Sequence, residues 1–409
     1  MKRMKAILTA NIKERQQRRQ KFRELRRNNI WDDYIVKARA VDGNFMRRYK
    51  MTEASFNKLV GILDLPVNEI KSKNSTVGID MISTNIIVAS GLRWLGGEDF
   101  KSIEDTFHIS MSSVQRVVNR FLDAVIECDH KDLAIELPKD DELEQIAEGW
   151  NSLLTAGGAM NGCVLAIDGF LSPRTCPNIE NSRDFYTDRK SFHCLMVIAA
   201  IDYLGRFRYH SVSAPGGMND SRGYHRCKKL RDWIKRLRDI RLGRYFGTAD
   251  NAFPLSNHLL IPFRRSQLNG DRYKDSYNYY LSQLRIQIEM AFGRMTTKFG
   301  LLRNKMRCSL ETQSKALHAV AKLHNFIINN DGVPTGQPLE LNANNQLDAA
   351  QLAANDIEPL PNGMGPNGFV TVDYEEEEEE IEDQSTNRRD AIVAELTFNE
   401  ILRPDAARA

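Results

Sequence analysis

The stretch Cys163-Val164-Leu165-Ala166-Ile167-Asp168-Gly169 decides the fold of this chain. Five apolar residues lead directly into one carboxylate, and glycines at positions 162 and 169 bound the run. An apolar run of this length predicts a buried strand, with Asp168 at its end. A second stretch of the same form, Tyr245-Phe246-Gly247-Thr248-Ala249-Asp250, predicts another strand that ends in an aspartate. Together they predict a sheet that presents two carboxylates outside its core.

A third acid, Glu289, lies in the helical pattern Arg285-Ile286-Gln287-Ile288-Glu289-Met290-Ala291-Phe292-Gly293-Arg294. Carboxylates from several elements can hold divalent cations, because Mg²⁺ prefers hard oxygen ligands and two such ions can stabilise both oxygens of a phosphodiester displacement. The apolar neighbours of Glu289 favour a partner for it, because an unpaired buried carboxylate is costly. Structurally, the aspartates could belong to turns and Glu289 could pair with Arg285 or Arg294. Spacing alone leaves both interpretations open.

Two more acids compete for a role. Asp220 precedes a basic helix predicted at residues 221–240, and both a helix cap and a metal ligand are open for it. Asp202 ends a predicted strand beside a turn, so we expect it to be structural. The eight histidines show no HExxH and no paired ligand spacing. His318 and His324, on the last predicted helix, are expected to pack or cap.

The composition excludes several classes of protein. The chain has 409 residues, 42% of them hydrophobic, which predicts about two or three domains with a sizeable core. It contains no apolar run long enough for a transmembrane helix, and its charged N-terminus does not resemble a secretory signal. Six scattered cysteines form no CxxC pair, which argues against a zinc ribbon or a disulfide framework and indicates a reducing compartment.

Charge is distributed unevenly although the net charge is only +3. Residues 1–27 hold eleven Lys/Arg against two Glu, and residues 373–383 hold nine acids and no base. Residues 226–244 hold nine Lys/Arg against two Asp, and residues 294–307, with Arg294 and Lys298, are basic without an acid. These basic segments suit a phosphate backbone. The alternative is a solvated helix face.

A helix-turn-helix pattern is predicted at residues 102–121. A short helix, a turn at His108-Ile109-Ser110 and a helix capped by Ser110 make up the pattern, with Val114, Val117 and Phe121 facing inward. The outer face carries residues able to reach phosphates and base edges: Ser112, Ser113, Gln115, Arg116, Asn119 and Arg120. An ordinary three-helix packing module that does not touch DNA is the alternative.

The order of predicted elements in the central region is three strands in a meander, a helix, a strand, a short extended piece and a long helix. We therefore expect an α/β fold with a mixed five-stranded sheet and flanking helices, preceded by an all-α region. The predicted segments are a basic arm (1–29), a helical region (30–128), a linker (129–160), the core α/β domain (161–330) and a disordered acidic tail (331–409) with a short helix near 389–402.

Five motifs in order resemble the PIF/Harbinger transposases and the Harbinger-derived nucleases, with their DDE superfamily endonuclease domain. The resemblance covers about residues 80–330, including the helix-turn-helix. The stretches that carry it are Ala166-Ile167-Asp168-Gly169, Ala214-Pro215-Gly216-Gly217-Met218-Asn219-Asp220-Ser221-Arg222, Ala249-Asp250-Asn251-Ala252-Phe253-Pro254, the 285–294 helix and Leu323-His324-Asn325-Phe326.

The resemblance implies an RNase H-like fold with Asp168, Asp250 and Glu289 as the catalytic acids and Asp220 as an additional metal ligand. It also implies Mg²⁺ or Mn²⁺, strand cleavage at transposon ends, a nuclear location and a separate Myb-like partner. The chain departs from the family at Ala249 (usually Gly), Phe253 (commonly Tyr) and Asn219 (usually His). None of these departures removes a carboxylate.

We therefore expect a metal-dependent DNA endonuclease of DDE transposase type that acts on double-stranded DNA by a two-metal mechanism. We also expect a homo-oligomer, found in the nucleus with some in the cytoplasm and not on membranes. The alternative is a domesticated, catalytically silent DNA-binding or chromatin adaptor. An RNA hydrolase on the same fold is a third possibility, which the helix-turn-helix disfavours.

Overall fold

The computed structural model describes residues 13, 17, 44–63, 65, 82–332 and 385–404. The basic arm (except residues 13 and 17) and the acidic run at 373–383 lie outside this part of the chain. The predictions made for them, and the predicted segment boundaries, stay predictions. In the described part, no helix is both long and apolar enough to span a bilayer.

Helices dominate the two ends of the described chain, and strands lie between them. The helices are α1 Asn44–Tyr49, α2 Glu53–Leu63, α3 Thr84–Leu95, α4 Phe100–Phe107, α5 Met111–Glu127, α6 Leu143–Asn151, α7 Asp220–His225, α8 Lys228–Arg236, α9 Arg265–Leu268, α10 Arg272–Lys298, α11 Leu310–Asp331 and α12 Ser385–Phe398. The strands are β1 Cys163–Arg174, β2 Tyr186–Thr187, β3 Phe192–Ile201, β4 Phe207–Pro215, β5 Phe246–Thr248 and β6 Leu259–Leu260.

The strands of the described residues form one mixed, open sheet in the order β2-β3-β1-β5-β6, with β4 paired to β3. Pairing is antiparallel for β2 with β3 and for β3 with β4, and parallel for β1 with β5 and for β5 with β6. The mixed α/β fold is as predicted, but the sheet has six strands and not five. The missed strand is β2, whose two residues are too few for an alternating pattern to appear in the sequence.

Strand β1 is longer than its apolar run. It continues through Gly169 to Arg174, so Asp168 lies inside the strand and not at its end. Gly169 and Pro173 are typical of turns, which is why the sequence predicts an end there. Long-range pairing overrides that preference: Met306 donates its backbone N–H to the carbonyl of Pro173, and Thr175 donates to the carbonyl of Met306. Proline needs no partner for an N–H, so the accepted bond is sufficient.

The described residues divide into two compact units. The first unit comprises Met1–Leu137, Gly169–Cys227 and Glu289–Val333, and the second comprises Pro138–Asp168, Lys228–Ile288 and Pro334–Ala409. Both β1 and α10 are divided between the units. The boundary falls after Asp168 in β1 and after Ile288 in α10.

In the first unit, α3, α4 and α5 pack through the apolar faces that their periodicity predicts. Val114, Val117 and Phe121 are buried, as expected. Gly91 allows close approach, because a Cβ there would lie 2.0 Å from Cδ1 of Phe121. Ser110 stands at the N-cap position of α5, but its side chain makes no capping bond to the backbone and contacts the hydroxyls of neighbouring serines instead. Ser110 therefore occupies the predicted cap position, but its side chain does not form the hydrogen bond of a cap.

Two predicted helices differ in their bounds. The single helix expected at 221–240 is divided into α7, α8 and a 3₁₀ turn at Leu237–Asp239, and Arg226 and Cys227 belong to neither α7 nor α8. The buried Cys227 packs there and donates its thiol to the carbonyl of Gly223 at 3.3 Å. The C-terminal helix α12 begins and ends four residues before the short helix predicted at 389–402.

Candidate active site

Asp168 lies on β1, and Asp250 lies in the loop that follows β5, the parallel neighbour of β1. Ala166 of β1 is opposite Thr248 of β5, and each aspartate comes two residues later. Strand β5 ends at Thr248, so Asp168 lies just beyond the end of its neighbour. Adjacent strands are about 4.8 Å apart, so the two strands that lead to the aspartates run side by side as far as Ala166 and Thr248. Both aspartates are partly exposed.

The backbone around Asp250 is held on both sides. Gly247 donates to the carbonyl of His258 at 2.8 Å and Ala249 donates to that of Leu260 at 3.0 Å, which ties β5 to β6. Oδ1 of Asp250 accepts the backbone N–H of Ala252 at 2.8 Å and closes a short turn. This carboxylate is therefore oriented by its own loop, as turn-forming aspartates commonly are.

Asp220 is not the cap of its helix. Asn219 is the N-cap residue of α7, and its Oδ1 accepts the backbone N–H of Arg222 at 2.8 Å. Asp220 is the first helical residue, and its carboxylate lies against β1: a Cβ on Gly169 would be 2.5 Å from Oδ1 of Asp220. Of the two roles left open by the sequence, the cap belongs to Asn219, whereas Asp220 approaches the strand that carries the first aspartate.

Two glycines bring the Asp220 loop onto β3. A Cβ on Gly216 would lie 2.1 Å from Sγ of Cys194, and one on Gly223 would lie 2.6 Å from Sδ of Met196. Backbone bonds add to this packing, since Gly216 donates to the carbonyl of Cys194 at 2.9 Å. Side chains at either position would push the start of α7 away from the sheet, so the glycines determine where Asp220 lies.

Glu289 is exposed on α10, contrary to the expectation that its apolar neighbours would bury it. The neighbours face inward and the glutamate does not. Phe292, one turn later, packs on Phe170 of β1 with ring centroids 5.3 Å apart and on Phe207 with centroids 6.0 Å apart. Phe292 therefore packs the part of α10 that follows Glu289 onto the strands of the first unit.

The acids fit a divalent cation by their chemistry. Mg²⁺ is usually bound by one or two carboxylates together with water and substrate phosphate, and Asp168 and Asp250 supply two hard-oxygen groups, each two residues after a paired position of adjacent strands. Among the described residues, no group of three or more His, Cys, Asp or Glu is arranged to hold a metal ion. Asp220 and Glu289 belong to the first unit and the aspartate pair to the second.

The candidate DNA-reading face on α5 is exposed. Ser112, Gln115, Arg116 and Asn119 are exposed, and Ser113 and Arg120 are partly buried. Lys322 of α11 holds the other end of this helix, which no sequence pattern had indicated. Its ammonium donates to the carbonyls of Val125 at 3.1 Å, Ile126 at 2.5 Å and Cys128 at 2.9 Å. A cation at a helix C-terminus also complements the helix dipole.

The two basic candidates on α10 are less accessible than the sequence indicates. Arg294 and Lys298 are both partly buried, and burial lowers the pKa of each below its usual range. Nε of Arg294 donates to the carbonyl of Met290 at 3.3 Å. Neither side chain extends freely into solvent, so a role at the DNA backbone stays a prediction for both.

The last motif, Leu323-His324-Asn325-Phe326, fixes α11 to the β3–β4 turn. Asn325 accepts the N–H of Phe207 at 2.7 Å and donates to its carbonyl at 2.8 Å, and Nε2 of His324 donates to the carbonyl of Gly205 at 2.9 Å. Within that turn, the fully buried Asp202 forms an ion pair with Arg206 at 2.7 Å. The structural roles predicted for Asp202 and His324 are confirmed.

Residues 167–325, about two-fifths of the chain, match the family model described as DDE superfamily endonuclease. No curated protein and no solved structure matches the chain. The matched range contains both aspartates, Asp220 and Glu289, and it supports the DDE superfamily and a nuclease or transposase type of function. Endonuclease domains of this superfamily generally use divalent metals, and the domain implies DNA binding. The finer PIF/Harbinger subtype stays a prediction.

Proposed function

We propose that this protein is a divalent-metal-dependent DNA endonuclease of DDE transposase type. The observation that carries the proposal is that Asp168 and Asp250 each follow, by two residues, a paired position of the adjacent parallel strands β1 and β5, within the range that matches the family model. A bound Mg²⁺ or Mn²⁺ supplies charge stabilisation for the oxygens of an in-line phosphodiester displacement. The two aspartates would hold it.

Asp220 and Glu289 are the acids that we propose to complete the site. Asp220 is supported by its approach to Gly169, the residue that follows Asp168 in the chain. Glu289 is supported by its place in the 285–294 helix, within the range that matches the family model. Both acids would act by binding and orienting the metal and the substrate.

The outer face of α5 is the surface that we propose for the duplex, as a helix-turn-helix. Its polar and basic side chains suit phosphates and base edges. Lys322 fixes this helix to α11, which follows the Glu289 helix in the chain. We further propose a nuclear location, a homo-oligomer and a Myb-like partner, on the resemblance of the sequence motifs alone.

The experiment is nicking of supercoiled plasmid by the wild type and by Asp168→Asn, Asp250→Asn and Glu289→Gln, each with Mg²⁺, Mn²⁺ or EDTA. Asp239→Asn is the matched control, because Asp239 is an exposed carboxylate of the second unit paired with Arg238. Mn²⁺ binding, measured by calorimetry, and DNA binding, measured by fluorescence anisotropy, are followed in the same preparations.

The proposal predicts metal-dependent nicking by the wild type and by the control. It also predicts a loss of more than about 100-fold in the aspartate variants, since removing outer-shell partners of metal ligands already costs 10 to 100-fold. DNA binding should survive in all variants. Nicking retained in both aspartate variants would contradict the site. DNA binding by every protein with neither nicking nor Mn²⁺ binding would favour the silent adaptor instead.

A further inference from the structure

The C-terminal helix α12 lies outside the range that matches the family model, yet it belongs to the compact unit that carries Asp168 and Asp250. Ile392 and Leu396 of this helix are buried, with 3% and 1% of their surface exposed. After the helix, Leu402 accepts a hydrogen bond from the Tyr280 hydroxyl at 2.9 Å. Arg403 pairs with Asp275 at 2.8 Å. These residues pack the helix and the segment that follows it into the second unit.

Arg388 joins this helix to the start of β5. Its guanidinium donates to the carbonyl of Gly243 at 2.9 Å and to the carbonyl of Arg244, and it lies 5.5 Å from the centre of the Phe246 ring. The two parallel N–H groups of arginine suit a pair of adjacent carbonyls, which one lysine ammonium cannot match in the same geometry. Phe246 is the first residue of the strand that leads to Asp250.

The start of β1 meets the same point. Phe246 donates its N–H to the carbonyl of Gly162, immediately before β1, at 3.0 Å. Gly162 has φ +103°, and a Cβ on it would lie 2.3 Å from the carbonyl oxygen of Arg244 and 3.5 Å from Nη2 of Arg388. The carbonyl of Arg244 therefore contacts both Gly162 and Arg388. One guanidinium thus sits where the two aspartate-bearing strands begin.

The turn that enters β5 needs such support. Arg241, Leu242 and Gly243 are three consecutive left-handed residues, with φ of 44°, 56° and 70°. This conformation is unfavourable for residues that carry a side chain. Glu144 holds the turn from one direction, because it accepts from Arg241, from Arg244 and from the Tyr245 hydroxyl.

Arg388 holds the turn through its backbone carbonyls, and Arg389 anchors the next stretch of chain. The guanidinium of Arg389 lies 3.8 Å from the centre of the Phe263 ring, three residues after β6. Arg389 is only 5% exposed. The helix thus contacts both flanks of the loop in which Asp250 lies.

We infer that α12 is a positioning element for the Asp168–Asp250 pair, and that Arg388 is the positioning residue that keeps β1 and β5 in register. A slip of one residue in a strand moves every side chain to the opposite face, so the register determines whether the two carboxylates face the same ligand. The inference deepens the proposed function and rests on it for the metal, whereas the strand register itself does not depend on it.

The experiment uses the full chain with Arg388→Ala, Arg388→Lys and the matched control Arg403→Ala, which removes an arginine of the same segment whose ion pair is partly exposed. Hydrogen exchange of the amides of Phe246, Gly247 and Ala249 reports the β1–β5–β6 pairing directly. Mn²⁺ affinity and the kcat and KM of nicking report the site. Millimolar guanidinium is added to Arg388→Ala to occupy the vacated position.

We expect faster exchange at these amides and a Mn²⁺ affinity lower by about 10 to 100-fold in Arg388→Ala, the range seen for groups that orient metal ligands. The kcat should fall more than KM changes, guanidinium should restore part of the loss, and Arg403→Ala should match the wild type. If Arg388→Ala does not fold, the same comparison in Arg388→Lys decides, with a smaller change expected.

Exchange and Mn²⁺ affinity equal to the wild type in Arg388→Ala would overturn the inference, as would equal changes in Arg403→Ala. If the wild type neither binds Mn²⁺ nor nicks DNA, the proposed function fails separately. The exchange data then decide alone: faster exchange supports the register role of Arg388, and unchanged exchange overturns it.

Discussion

Replacing Gly169 with alanine should separate activity from stability, because the added methyl meets a carboxylate and not the core. The new Cβ would lie 2.5 Å from Oδ1 of Asp220, whereas ordinary contacts begin at 3.4 Å. The carboxylate must therefore move by about 0.9 Å. It is the end of a flexible side chain, so we expect the free energy of unfolding to change by no more than about 1 kcal/mol.

A displacement of that size matters for a group that binds a reacting complex. A misplacement of about 1 Å can cost about 100-fold in rate, so Gly169→Ala should nick plasmid about 10 to 100-fold more slowly at nearly unchanged melting temperature. Gly61→Ala is the matched control, since a methyl on Gly61 of α2 meets nothing within 4 Å. That change should leave nicking unaltered and stabilise the helix by about 0.5–1 kcal/mol.

A double-mutant cycle decides whether Asp220 transmits the effect. In the Asp220→Ala background the methyl on residue 169 has no carboxylate to displace, so Gly169→Ala should cause no further loss of rate. Losses that multiply would refute the reasoning, because the methyl would then act on something other than Asp220. A wild-type rate in Gly169→Ala alone would show that the position of Asp220 does not matter for the reaction.

Three further predictions concern the first unit. Lys322→Met should destabilise it by about 2–3 kcal/mol in urea titrations, because three carbonyls at the end of α5 lose a charged donor; an unchanged midpoint would contradict this role. Burial lowers the pKa of His210 to about 3 and of His324 to about 4. Both imidazoles are therefore neutral in the folded protein. Their contribution to the free energy of unfolding is complete above pH 6.5 and is lost as the pH falls toward 4, by up to about 1.4 kcal/mol per pH unit for each histidine. Urea titrations at pH 7.5 and 5.5 should show this loss, and it should be smaller in His324→Gln, which keeps a donor for the Gly205 carbonyl. Arg116→Ala should weaken DNA binding and reduce the salt slope of log Kd by about 1, measured by anisotropy; an unchanged slope would remove α5 from the interface.

Local patterns in the sequence predicted the elements well where the pattern is long. The inward faces of α3 and α5, the buried run that begins β1 and the order of strands and helices follow from periods of 3.6 and 2 residues, which depend on neighbours in the chain. Short elements gave no such signal. Strand β2 has two residues, and the sequence does not predict it. For β1 the sequence predicts an end at Gly169, because glycine and proline mark turns in most other contexts.

The roles of single acids could not be predicted in the same way. Asn219 and Asp220 are both good helix caps, and only the backbone geometry shows that Asn219 accepts the N–H of Arg222. Glu289 has apolar neighbours in sequence but is exposed, because its neighbours and not its own position face the sheet. When a helix is apolar on most of its surface, its sequence pattern does not indicate which of the remaining residues faces solvent.

The sequence by itself indicated the residues that we propose to carry the chemistry: two aspartates after apolar runs, Asp220 behind a Gly-Gly turn, and Glu289 on a long helix. The tertiary structure decided how the strands and helices that carry them pair. The pairing of Ala166 with Thr248, two residues before Asp168 and Asp250, joins residues 82 positions apart, and Arg388 contacts the turn before β5 from a helix more than 140 residues further along. Such contacts have no period in the sequence, because they depend on how separate elements pack and not on the conformation of each one.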